Sequence, residues 1–143
     1  MPPVTTLIHS TLQIITVAMG SPLGREVAPR EATSALITWV MRYVKLTNEN
    51  RSLLIACASG AGLAAVYNSP VSATIFVLET LLLTWNVRAL SSAFIACGIA
   101  TFVVRLGLGD TVQYDMPQPV MIGNFAEFAV LIGIIIGVAV VFF

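Results

Sequence analysis

Charged residues cut the chain into apolar runs. Asp, Glu, Lys and Arg are absent from 1–24, 32–41, 52–78, 80–87, 89–104, 116–126 and 128–143. A straight helix across a hydrocarbon core of ~30 Å takes about 20 residues, so the run 32–41 is too short to cross alone. The run 52–78 is long enough, but Asn68-Ser69-Pro70 interrupts it. Proline has no N–H to donate and suits the first turn of a new helix, with Ser69 or Asn68 as the cap. The pattern therefore predicts helices near 4–19, 27–44, 50–67, 70–84, 89–106 and 126–143. One long loop is expected over 107–125, which holds Gly107, Gly109, Asp110, Asp115, Pro117, Pro119 and Gly123. Several of these helices are shorter than a span and meet at glycine or proline. Non-helical backbone at membrane depth is tolerated where it is buried in protein or lines an aqueous path, and broken helices mark ion and substrate sites. An ordinary bundle with differently placed helix ends would give a similar pattern.

Composition sharpens this picture. The 143 residues are 57% hydrophobic and 10% charged, with a mean hydropathy of +0.93. A soluble domain carries about 25% charged residues, so this chain lacks the polar surface that water requires. That excludes a soluble enzyme domain and a disordered chain. Seven basic and seven acidic residues cancel to a net charge of zero, which leaves no basic surface for nucleic acid. The expected surroundings are a lipid bilayer, and the expected fold is an all-α integral membrane bundle. Cys57 and Cys97 lie in apolar runs without metal-like spacing and read as free thiols that pack as small hydrophobes. No metal and no cofactor is expected. The start lacks the charged n-region of a signal peptide. The run from Gly133 to Phe143 stops without a cap or charged flank, as expected of a piece of a larger protein. Small residues crowd Ala56-Cys57-Ala58-Ser59-Gly60-Ala61-Gly62-Leu63-Ala64-Ala65, and Gly133 and Gly137 are spaced as GxxxG. Both favour close helix packing and neither specifies chemistry.

Three places hold residues capable of chemistry. In Gly20-Ser21-Pro22-Leu23-Gly24-Arg25-Glu26-Val27-Ala28-Pro29-Arg30-Glu31 a Gly-rich turn runs into a helix start. The first backbone N–H groups of a helix lack intrahelical partners and carry the positive end of its dipole, which makes an anion site without a lysine or arginine. Glu26 stands at that mouth, where its carboxylate would occupy the place of an anion until protonated. The simpler reading is a carboxylate that caps the helix or pairs with Arg25 or Arg30, and the segment alone favours it. Glu79 lies inside Ile75-Phe76-Val77-Leu78-Glu79-Thr80-Leu81. An intramembrane carboxylate is a functional candidate by default, while a carboxylate near a helix end that pairs with Arg88 would be structural. His9, the one histidine, has no carboxylate near it in sequence and reads as a packing or interfacial residue. Trp39, Tyr43, Trp85 and Tyr114, with Arg42, Lys45 and Arg88, suit the membrane–water interface.

Two of these segments match something specific. Gly20-Ser21-Pro22-Leu23-Gly24-Arg25-Glu26 resembles the G-x-x-x-G-R/K-E-G-P motif of the CLC family of chloride channels and proton-coupled anion antiporters. Gly60-Ala61-Gly62-Leu63-Ala64-Ala65-Val66-Tyr67-Asn68-Ser69-Pro70-Val71 resembles the family's G-x-x-A-G-L-A-A-A-F-N-A-P-L segment, and Ile75-Phe76-Val77-Leu78-Glu79 follows as it does there. The two blocks stand in the family's order and within about a residue of its spacing, over residues 18–143. The resemblance implies a CLC-type bundle of short, tilted and broken helices, of which this chain is a central fragment. It implies transport of chloride or a related small anion in the inner membrane of a bacterium, with protons as a second partner. Glu26 falls at the gating, proton-accepting glutamate, with Gly24, Arg25, Val27 and Ala28 along the anion path. It also implies a homodimer that pairs through the helix beginning at Pro70.

The departures carry implications too. Where the family has Gly-Pro after the glutamate, this chain has Val27-Ala28-Pro29, which removes the flexibility of glycine beside the gate. The second, internal proton position falls at Thr80, next to Glu79, and threonine does not relay a proton by ionising. An uncoupled anion channel or a fluoride-handling branch is the alternative within the class. Outside it, a structural membrane subunit would explain the composition but not a carboxylate at a Gly-rich helix mouth. An intramembrane hydrolase would need a Ser/His or paired-Asp constellation that these residues do not supply.

Overall fold

The computed structural model describes residues 3–109 and 125–142, and every described element is helical: α1 (Pro3–Ala18), α2 (Val27–Val40), α3 (Asn48–Tyr67), α4 (Pro70–Phe76), α5 (Val87–Leu108) and α6 (Phe125–Phe142). Most of the loop expected over 107–125, including Tyr114, lies outside the described residues. The chain divides into two compact units, Met1–Thr111 and Val112–Phe143. The second contains α6, an apolar helix with Glu127 in its first turn and the Gly133/Gly137 pair further along.

In the first unit α1 packs on α2, α2 on α3 and α3 on α5, while α4 lies against both α3 and α5. Small residues make this order possible. Ala56, Cys57 and Ala64 of α3 meet Ala73 and Val77 of the following segment and Ala93 and Cys97 of α5 in two adjoining clusters. Both cysteines are free and buried. Two glycines of α3 face opposite neighbours. A Cβ on Gly62 would lie 2.6 Å from the Pro29 carbonyl oxygen of α2, and one on Gly60 would collide with Val77. Backbones approach this closely only where side chains are absent.

Helix ends follow local chemistry. Thr47 caps α3 by accepting the Asn50 N–H, and the Asn86 Oδ1 accepts the Ala89 N–H at 2.6 Å, so α5 starts at Val87, two residues before the expected 89. The helix expected over 27–44 ends earlier, at Val40. The N–H groups of Arg42 and Tyr43 bond to carbonyls three residues back, which tightens the chain out of the α-helix. Between α3 and α4 the chain turns at Asn68, which adopts φ 52°. Asparagine tolerates this left-handed conformation better than most residues.

The helix expected over 70–84 is not one α-helix. It is α-helical to Phe76 and continues as a π-helix over Val77–Leu82, and Leu83 ends it at φ 51°. The wider turn keeps both Val77 and Leu78 fully buried, while Glu79 and Thr80 are exposed. One described helix, Val87–Leu108, is long and apolar enough to cross a membrane, and the shorter apolar helices are Pro3–Ala18, Pro70–Leu82 and Glu127–Val141.

Candidate functional site

The Gly-rich turn leads Gly24, Arg25 and Glu26 to the start of α2, with Val27 as its first residue and Ala28 buried. Glu26 occupies the cap position, but its side chain makes no capping bond. The N-terminus of α2 therefore keeps its backbone donors apart from the carboxylate that stands beside them. The expected pairing with Arg25 or Arg30 does not form either. Glu26 Oε1 instead accepts the hydroxyl of Tyr67, the last residue of α3, at 3.0 Å. Its other oxygen folds back over Gly24, where a Cβ would lie 2.8 Å from Oε2. Sequence order hides this contact, because 41 residues separate the two partners. Its one signal is the tyrosine that stands where the resembling segment has phenylalanine.

The surroundings of Tyr67 are fixed from two sides. Arg105, near the end of α5, donates its Nε–H to Asn68 Oδ1 at 2.8 Å and so ties the elbow after Tyr67 to α5. Gly62, five residues before Tyr67, sets the close approach of α3 to α2. The phenol and the carboxylate thus belong to two helices whose separation is set by packed backbone.

Arg30 lies one turn along α2. Its guanidinium carbon stands 4.8 Å from the centroid of the Phe76 ring, and its Nε–H points to Ser59 Oγ at 3.4 Å, a long contact. It lines a cavity of about 400 Å³ with Thr6, Ser34, Thr38 and Ser59. His9 does have a carboxylate partner: Nδ1 lies 2.7 Å from Glu31 Oε2 and joins α1 to α2. Distance along the sequence hides this pair, since the partner comes from the next helix.

Glu79 and Thr80 sit on the π-helix and are exposed. π-Helical turns inside α-helices occur frequently at functional sites. Arg88, the expected structural partner of Glu79, donates instead to Asn50 Oδ1 at 2.8 Å. Trp39 and Tyr43 pack edge to face, with ring centroids 5.9 Å apart.

Comparison with known proteins gives a consistent result. The sequence model of the family described as voltage gated chloride channel matches residues 1–143. A ClcB-like protein of Ralstonia nicotianae is 28% identical over 117 residues, covering 79% of this chain and 27% of that protein. The voltage-gated ClC-type chloride channel ClcB of Escherichia coli O139:H28 is 28% identical over 129 residues, covering 89% of this chain and 30% of that protein. The ClcB of Shigella boydii serotype 18 matches to the same extent. The chain thus spans less than a third of the length of these relatives. No solved structure matches it.

Proposed function

The chain belongs to the voltage-gated chloride channel (CLC) family, and on that premise we propose that it forms the central part of a membrane pathway for chloride or a related small anion, with Glu26 as its gate. The observation that carries the reading is the position of the Glu26 carboxylate, which stands at the mouth of α2 without capping it. A helix N-terminus attracts anions through its unpaired N–H groups and its dipole. A carboxylate beside it repels a passing anion while ionised and ceases to do so when it is protonated or swings away. Gly24, Arg25, Val27 and Ala28 are then the neighbours past which the anion moves.

The same glutamate supplies a proton acceptor, so proton antiport is part of the proposal. Glu79 and Thr80 mark the second proton position. Thr80 does not ionise, which favours transport without strict coupling unless Glu79 or ordered water takes its place. Two copies of the protein pair through α4, whose Val71 and Ile75 stand one turn apart and are exposed. The surroundings are a bacterial inner membrane. The family is described as one of channels, in keeping with transport and not enzymatic chemistry.

The test uses the full-length protein in proteoliposomes, with chloride efflux and proton movement recorded together for wild type and Glu26→Ala. Proton uptake driven by the chloride gradient, lost in the variant, is the outcome for an antiporter. Chloride flux without protons that rises in the variant is the outcome for a gated channel. Equal flux in both proteins would remove Glu26 from the gate.

A further inference from the structure

We propose that Tyr67 is a latch for Glu26: its phenolic hydroxyl holds the gate carboxylate in the closed pose, and the anion pathway opens only when that bond breaks. The inference rests on the reading of Glu26 as the gate and adds the residue that sets how firmly it stays shut.

Three observations carry it. The hydroxyl of Tyr67 donates to Glu26 Oε1 at 3.0 Å, and it comes from a different helix. An O–H donor on an ionised carboxylate is a charge-assisted bond, stronger than one between neutral groups. The carboxylate also folds back over Gly24, so that its second oxygen occupies the space of an absent side chain. The pose is therefore bonded at Oε1 and accommodated at Oε2. Finally, the backbone that carries the phenol is anchored. Asn68, the next residue, is bonded to Arg105 of α5, and Gly62 fixes α3 against α2. An anchored elbow limits how far the hydroxyl can drift from Glu26.

Val27 acts in the same direction. A β-branched residue directly after Glu26 restricts the backbone at the position where the gate would need to pivot. Less of the opening can then come from the backbone, and more must come from rotation of the Glu26 side chain. That rotation is the movement the phenol opposes. Protonation of the carboxylate would weaken the same bond by removing the charge that strengthens it, so one event both neutralises the gate and unlatches it.

The test is a double-mutant cycle in the full-length protein reconstituted in liposomes, comparing wild type, Tyr67→Phe, Glu26→Ala and the double variant. Tyr67→Phe removes a single oxygen and leaves the ring. Its loss should raise chloride efflux about ten- to a hundredfold, the range that corresponds to the net value of a hydrogen bond to a charged group. In the Glu26→Ala background the same substitution should change nothing, because no carboxylate remains to be held. A purely structural role for Tyr67 would alter flux in both backgrounds, and that result would overturn the latch. A silent Tyr67→Phe beside an active Glu26→Ala would overturn the latch and leave the gate intact. If Glu26→Ala itself changes neither chloride nor proton movement, the gate reading fails and the latch fails with it. A second measurement is independent of flux. The carboxylate stretching band assigned to Glu26, by its loss in Glu26→Gln, should shift on Tyr67→Phe, and an unmoved band would also overturn the proposal.

Discussion

The two oxygens of Glu26 have different surroundings, and each makes a separate demand on the sequence. Oε1 needs the hydroxyl of Tyr67, and Oε2 needs the empty space over Gly24. Gly24→Ala would place a methyl group 2.8 Å from Oε2. The carboxylate is the end of a flexible side chain in an exposed turn, so it moves aside at little cost in stability, within about 0.5 kcal/mol. Chloride efflux should nevertheless rise, as in Tyr67→Phe, with an unchanged unfolding midpoint in detergent. An unchanged flux would mean that the folded-back pose has no part in gating. Asn68 makes a different demand, because its φ of 52° is costly for β-branched side chains in particular. Asn68→Val would cost about 1–2 kcal/mol in backbone strain and would also release Arg105, lowering the unfolding midpoint and loosening Tyr67. Sequence reasoning could find Glu26, since a charge at a Gly-rich helix mouth stands out in an apolar chain. It could not find the pairing, because nothing local connects position 26 to position 67. The same limit applies to His9 and Glu31, which are neighbours only through the packing of α1 on α2.

At the scale of the elements, α3 is the piece on which the first unit is assembled, and its glycines decide how closely its neighbours approach. Gly62 faces the backbone of α2, with the Pro29 carbonyl oxygen and Thr33 Oγ1 at 2.6 and 2.7 Å from a would-be Cβ. Gly60 faces Val77, the first residue of the π-helix. Alanine at either place overpacks the contact and should cost about 1–3 kcal/mol. The two costs have different remedies. Val77→Ala should restore much of the stability lost in Gly60→Ala and none of that lost in Gly62→Ala, measured as unfolding midpoints of the single and double variants. Additive effects at positions 60 and 77 would contradict the contact. The run of small residues announces close packing in the sequence, and the Asn-Ser-Pro break separates α3 from α4 at the expected place. Which glycine faces which helix does not follow from the run itself, because nearly every residue in it is small. The π-helix was equally hidden. Positions 77–82 read as an ordinary apolar helix, whereas the widened turn buries the adjacent Val77 and Leu78 together, with Val77 against α3 and α5.

On the scale of the whole molecule, the decisive property is the apolar surface that remains outside the packed contacts. The helix Val87–Leu108 is only 22% buried over its most apolar window, and Phe94, Ile95, Ile99, Phe102 and Val103 are all exposed. Water would not tolerate such a surface, and the zero net charge gives no compensating solubility. The helix carries Arg88 near its start and Arg105 near its end, with no charge between them. Both arginines bond to protein oxygens, Asn50 Oδ1 and Asn68 Oδ1, which leaves the middle of the helix for hydrocarbon. An arginine at the centre is then the sharpest probe. Ile99→Arg should disfavour membrane insertion of this segment by about 2.5–3.5 kcal/mol, read as the inserted fraction in a glycosylation-mapping assay. Leu106→Arg, beside an arginine already at the helix end, should change insertion far less, because a long side chain there reaches the interface. Equal insertion of the two variants would mean that the centre of the helix does not lie in hydrocarbon. A pathway built on the α2 mouth would then lose its bilayer frame, since α3 ties α2 and α5 together in one packed unit.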